Sequence, residues 1–163
     1  MNQGLAIAVW ILIKDGGVLL EAKGRKLSSG KRITHQPIKE NIGFKEDTTL
    51  SVYRVANEAL LKAVGQKCSF ASPVDIRGFP RKNKKGEAKG IRLHFMVLLR
   101  PDFPSLTSGS TFTLIRRQEL SRIQPVSNVR IPQTKDTIVL FDEDYEVLIS
   151  DIWKIQTTLA TAR

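Results

Sequence analysis

Residues 5–13 (Leu-Ala-Ile-Ala-Val-Trp-Ile-Leu-Ile) are apolar at odd and even positions alike. A strand that is apolar on both faces belongs in the middle of a sheet covered on each side, so this segment predicts the central strand of a layered fold. Asp15-Gly16-Gly17 is a tight-turn signal, and residues 18–22 return as a second strand to complete a hairpin. Residues 23–32 lose all apolar alternation, contain Ser28, Ser29 and Gly30, and read as a polar, basic loop. Asp47-Thr48-Thr49 supplies N-cap side chains for a helix over 49–64, and Gly65 is a natural terminator. Tyr53, Ala56, Leu60, Ala63 and Val64 share one face of that helix. Strands are expected over 69–79, 91–99 and 111–115, with a short helix over 117–122. Tyr145, Leu148, Ile149, Ile152, Trp153, Ile155 and Leu159 follow helical spacing, with Asp142 and Asp144 where a helix N-terminus favours negative charge. This order predicts an α/β sandwich with a mixed sheet.

A chain of 163 residues fits one domain spanning 1–163. Its nine-residue apolar run falls well short of the roughly 20 residues that cross a bilayer. With no basic lead-in or small-residue cleavage pattern either, the chain is expected to be soluble, cytoplasmic and unattached to membranes. Cys68 is the single cysteine, which excludes an internal disulfide and a cysteine-built zinc site. His94 lies inside an apolar strand and reads as a core or sheet-face histidine. His35 precedes Pro37 in a loop.

Charge changes the picture more. Lys and Arg number 26 against 16 acids, a net of +10. Residues 131–163 hold Lys135, Lys154 and Arg163 against Asp136, Asp142, Glu143, Asp144, Glu146 and Asp151, a net of −3 that leaves +13 on residues 1–130. Arg77, Arg81, Lys82, Lys84, Lys85, Lys89 and Arg92 fall within sixteen residues, opposed by Glu87, and residues 80–90 read as a basic surface loop. Lys23, Arg25, Lys26, Lys31 and Arg32 make a second basic cluster. Two such clusters predict a polyanionic partner, either RNA or a phosphorylated nucleotide.

Three segments carry a resemblance to a known family. "LAIAVWILIKDGGVLLEAKG" resembles the first hairpin of the Nudix superfamily, "HQPIKENIGFKEDTTLSVYRVANEALLKAVG" falls where that family has its loop–helix–loop motif, and "FTLIRRQELSRIQP" is similar to the strand and short helix that follow. The resemblance implies an α/β/α sandwich with a mixed sheet, the loop–helix–loop motif and a C-terminal helix. The family's box, G-x5-E-x7-R-E-U-x-E-E-x-G-U with U aliphatic, is degenerate here. Gly43 and Glu58 match, whereas Thr49, Asn57, Leu61, Lys62 and Val64 stand at other specified positions. In the family the paired glutamates hold magnesium or manganese, which demands hard oxygen ligands. Leu61 offers none, and Lys62 brings a like charge.

Two functions follow. In the first, the chain has lost its catalytic metal ligands, needs no cofactor, and binds RNA or a nucleotide, as one subunit of a ribonucleoprotein. Lys39 and Lys62 beside the cleft, with Arg25, Lys26, Lys31, Arg32, Arg81, Lys82, Lys84, Lys85 and Lys89, then serve as phosphate counter-charges. In the second, it is a hydrolase of a nucleoside-diphosphate-linked substrate with a diverged magnesium or manganese site built from Glu40, Glu46 and Glu58, with Glu58 the helical metal ligand.

Overall fold

The computed structural model describes residues 4–27, 30–43, 46–128 and 137–155. Strand β1 (Gly4–Leu12) is the axis of the molecule. It pairs along its whole length with the parallel strand β6 (Ala88–Leu98), from Gly4↔Gly90 to Leu12↔Leu98. Its other edge is shared. The C-terminal end pairs with β2 (Val18–Leu27), and the N-terminal half pairs with antiparallel β4 (Ile38–Ile42). Strand β2 then runs on to pair with β3 (Gly30–Gln36) and with β7 (Phe112–Ile115). β5 (Val74–Lys82) closes the far edge against β6. A small parallel pair, β8 (Ile123–Pro125) and β9 (Ile138–Leu140), stands apart, with a 3-10 helix at Arg117–Arg122 leading into it.

Period-two alternation divides the core in two. Ile7, Val9 and Ile11 meet helix α1 (Thr48–Val64), while Trp10 and Leu12 meet the C-terminal helix α2 (Asp142–Glu146) and the wide π turn Val147–Ile152 that extends it. α1 begins where expected, because Asp47 Oδ1 accepts the Leu50 N–H at 2.9 Å, and it ends at Gly65, whose φ of 77° is the left-handed conformation glycine adopts freely. Val52, Val55, Ala56, Ala59, Leu60 and Ala63 are buried on its inner face, and Tyr53 is half-buried. The π turn adds a residue to one helical turn, and Leu148, Ile152 and Trp153 are all buried around it. Leu159, the last apolar position of the expected stripe, lies outside the described residues.

The polar runs fold differently from the expectation. The segment read as a loop over 23–32 is the outer half of the β2–β3 hairpin, and most of 80–90 is the end of the β5–β6 hairpin, whose turn occupies residues 83–87. Residues 82–89 are all exposed, so no buried apolar face marks their share of the hairpin in the sequence. His35 sits buried in β3 rather than in a loop, and Glu40 lies on β4. As the outer edge of the large sheet, β5 carries Pro80 and a register shift between Asp75 and Arg77. Among the described residues no helix is long and apolar enough to cross a membrane.

Trp153 is 3% exposed and anchors the C-terminal layer. Trp153→Ala is expected to destabilise the fold by about 3–5 kcal/mol in chemical denaturation. A loss under about 1 kcal/mol would mean that the helix contributes little to the core.

Candidate functional site: an arginine-filled acidic cluster and two basic hairpins

Glu40, Glu46 and Glu58 do converge, from β4, from the turn before α1 and from α1 itself. Arg54 stands among them. Its Nη1 lies 3.1 Å from Glu40 Oε2 and 3.5 Å from Glu58 Oε1, and its Nη2 lies 3.7 Å from Glu46 Oε2. The hydrogen bond to Glu40, more than any other contact, holds the guanidinium pKa above its ordinary value. Ser51 Oγ also donates to Glu46 at 3.1 Å. These pairs are part-exposed, so each stabilises by well under about 1 kcal/mol. Their consequence is positional, since a fixed organic cation already stands among the carboxylates.

Leu61 is 48% exposed on the same helix, and Lys62 is exposed with no ion-pair partner among the described residues. A divalent ion here would need to displace Arg54 and would find neither adjacent carboxylate. The residues present do not fit the family's metal. Arg54 was legible as the i,i+4 partner of Glu58, a spacing that forms helix-surface ion pairs.

Lys39 is not beside this cleft. Register Ala8↔Lys39 sends it through the sheet to the opposite face from Glu40, which pairs with Ile7. There its Nζ lies 2.7 Å from Oδ2 of Asp144, a fully buried carboxylate. Burial pushes the Asp144 pKa up, and the charge of Lys39 opposes that without reversing it. Next to it Glu143 Oε2 takes Arg92 at 3.2 Å and His94 Nε2 at 2.7 Å. Burial alone would raise the Glu143 pKa, but the His94 hydrogen bond and the Arg92 charge outweigh it and hold the carboxyl below its usual range. Arg77 grips Asp151 at 2.6 Å and Glu146 at 3.1 Å. Arg77 and Arg92, counted in the basic cluster on sequence grounds, are therefore committed to the acidic C-terminal helix.

His94, Glu143 and Asp144 offer donor atoms within 4.8 Å of one another, the spacing a metal ion would require. The hydrogen bonding of the ring argues against one. Trp10 Nε1–H can only donate, and it donates to His94 Nδ1 at 2.9 Å. Nδ1 is thus the acceptor, Nε2 carries the proton toward Glu143, and the neutral ring has no free lone pair. The trio is a structural joint between β1, β6 and α2.

The lysines of the β5–β6 hairpin are not bound in this way. Lys82, Lys84, Lys85 and Lys89 are exposed and have no ion-pair partner among the described residues, while Arg81 donates to Asn41 Oδ1 at 3.2 Å. Their turn is tightly made. Asn83 Oδ1 accepts the N–H groups of Lys85 at 2.9 Å and Glu87 at 3.0 Å, Asn83 Nδ2 holds Glu87 Oε2 at 3.2 Å, and Gly86 takes a φ of 81°. On the other hairpin, Arg25 pairs with Arg32 and Lys26 with Lys31 in successive register positions. β2 and β5 both run antiparallel to β1, so both hairpins run toward the end of the sheet at which β1 begins.

A mixed sheet between one α1-type helix and a C-terminal helix is the Nudix arrangement, and a solved structure shares it. A hydrolase of the NUDIX family from Clostridium perfringens superposes with a TM-score of 0.55 over 96% of this chain and 99% of that one, at 12% identity. A NUDIX hydrolase from Nitrosomonas europaea aligns over 74% of this chain and 76% of that one at 16% identity, with a TM-score of 0.47. No protein-family model and no curated protein matches the sequence. The chain has the Nudix fold.

Two outcomes test this geometry. Arg54→Gln frees the three carboxylates, so millimolar manganese should raise the melting temperature of the variant more than that of the parent. An equal response in both would show that Arg54 does not compete with metal. Separately, the depressed pKa of Glu143 means its contribution is fully present above the ordinary value of 4.5 and is lost as pH falls through the folded value. The stability gap between the parent and Glu143→Gln should be about 2 kcal/mol at neutral pH and close in acid. Asp144, raised instead of lowered, has the opposite sign and is common to both proteins. Parallel pH profiles would contradict the assignment.

Proposed function

We propose that this Nudix-fold protein binds a polyanion, RNA or a phosphorylated nucleotide, through its basic hairpins and does not hydrolyse it with a metal. The observation that carries the reading is the β5–β6 hairpin tip, where Lys82, Lys84, Lys85 and Lys89 are exposed with no ion-pair partner among the described residues, while other cations of the same two strands, Arg77 and Arg92, are neutralised internally. Lysines left unneutralised at a rigid tip repel one another, and phosphates relieve that repulsion while releasing counterions. The hydrolytic alternative is disfavoured by Arg54 among the acids and by Leu61 and Lys62 on the helix. Lysines can hold phosphate, but they do not generate hydroxide at neutral pH as a bound metal does.

The reading predicts steep salt dependence. Replacing Lys82, Lys84, Lys85 and Lys89 by glutamate should reduce the log–log salt slope of RNA binding by roughly 3, at about 0.7 per lost phosphate contact on single strands. The melting temperature should hardly move. Magnesium-dependent phosphate release from nucleoside triphosphates or sugar nucleotides, abolished in Glu58→Gln, would replace this reading with the hydrolase.

A further inference from the structure

Two adjacent carboxylates of α2 are held very differently. Glu143 is bound by both His94 and Arg92. Asp144 is fully buried, yet among the described residues no donor other than the Lys39 ammonium reaches either of its oxygens. A buried carboxylate ordinarily gathers further hydrogen bonds, and a buried ion pair without them recovers little of the cost of taking two charges out of water. As a purely structural contact the pair is poorly built.

As a reactive contact it is well placed. Lys39 Nζ lies 2.7 Å from Asp144 Oδ2, and the carboxyl carbon is one C–O bond farther on. Both groups are held by fixed elements. Lys39 is on β4, paired with β1 from Leu5↔Ile42 to Val9↔Ile38, and its ammonium lies 5.1 Å from the centroid of the Phe141 ring. Asp144 is in the first turn of α2, where the Tyr145 N–H donates to the Phe141 carbonyl at 2.8 Å. The lysine side chain is 15% exposed and the carboxyl is sealed, so water scarcely competes. Reactants fixed in contact behave as if at about 10⁵ M or more, which offsets the reluctance of an amine and an acid to condense in water. Burial also favours the uncharged carboxyl, since it pushes the Asp144 pKa up. A carboxylate oxygen of Glu143 lies within 4.8 Å of one of Asp144, a base close enough to share in proton transfer.

We propose that Lys39 and Asp144 condense into an intramolecular isopeptide bond that staples α2 to β4. The Lys39 ammonium passes one proton to the Asp144 carboxylate across their contact, leaving a neutral amine and a carboxylic acid. The Nζ lone pair attacks Cγ, and a C–N bond forms. The C–O bond to the protonated oxygen breaks, and that hydroxyl leaves as water with a second proton from the nitrogen, for which Glu143 is the nearby relay. Nothing is oxidised or reduced, and no co-reactant is consumed. Two buried charges become one neutral amide, so their desolvation cost disappears.

The test is the intact mass of the full chain after incubation at neutral pH, followed by a tryptic peptide map. The parent should weigh one water molecule less than its sequence requires. Its map should contain a branched peptide joining Lys39 to Asp144, uncut after Lys39. Lys39→Arg keeps a cation at the same place, but a guanidinium stays protonated and is no nucleophile, so this variant should retain its full sequence mass. Water can also be lost at Asp15-Gly16, where the aspartate can cyclise onto the next amide. That loss would persist in Lys39→Arg without a branched peptide, and it would overturn the proposal. A parent of full sequence mass, with Lys39 and Asp144 in separate peptides, overturns it too, and this measurement requires no variant to fold.

Discussion

Everything in this molecule is referred to β1, a strand buried on both faces. Ala6 through Leu12 are at most 4% exposed, so each side chain is committed to one of two apolar layers. A slip of one residue would exchange the two faces and put Trp10 under α1, so the register has essentially no freedom. That constraint reaches the charges too. β4 inherits the alternation of β1, which directs Glu40 to the helix α1 side and Lys39 to the α2 side. Two adjacent residues of opposite charge thereby found two separate electrostatic sites, one surface acidic cluster closed by Arg54 and one buried ion pair with Asp144.

The charge imbalance of the chain is partly resolved inside it. The acids of the C-terminal helix reach across the fold to Lys39, Arg77 and Arg92, so that helix is fastened to β4, β5 and β6 by polar contacts as well as by Leu148, Ile152 and Trp153. Taking one partner from such a pair leaves a desolvated charge behind, which costs more than the pair itself contributes. Other cations, among them Lys82, Lys84, Lys85 and Lys89 of the β5–β6 hairpin, stay exposed without an ion-pair partner among the described residues. Internal pairing thus separates structural from available positive charge, a distinction that net charge cannot express.

Much of this was legible in the sequence, and the failures have physical causes. The doubly apolar run, the Asp-Gly-Gly turn, the Asp47 cap and the Gly65 stop each depend on neighbours within a few residues, and each appears in its place. The β5–β6 ribbon differs from the expected loop because residues 82–89 are all exposed, so no apolar alternation there marks a strand. The fates of Lys39, Arg77 and Arg92 depended on contacts 51 to 105 residues away in the chain, which no local spacing reveals. Glu40, Glu46 and Glu58 converge from separate parts of the chain, and Arg54, one helical turn before Glu58, stands among them.

The outer edge of β5 has a consequence of another kind. An uncovered strand is a template on which a second chain can add. Pro80 removes a donor from that edge, the shift between Asp75 and Arg77 breaks its straight run, and the lysines beyond it repel a neighbour bearing the same charges. The features that leave this border ragged also keep the sheet from growing there, so copies brought close together need not join edge to edge.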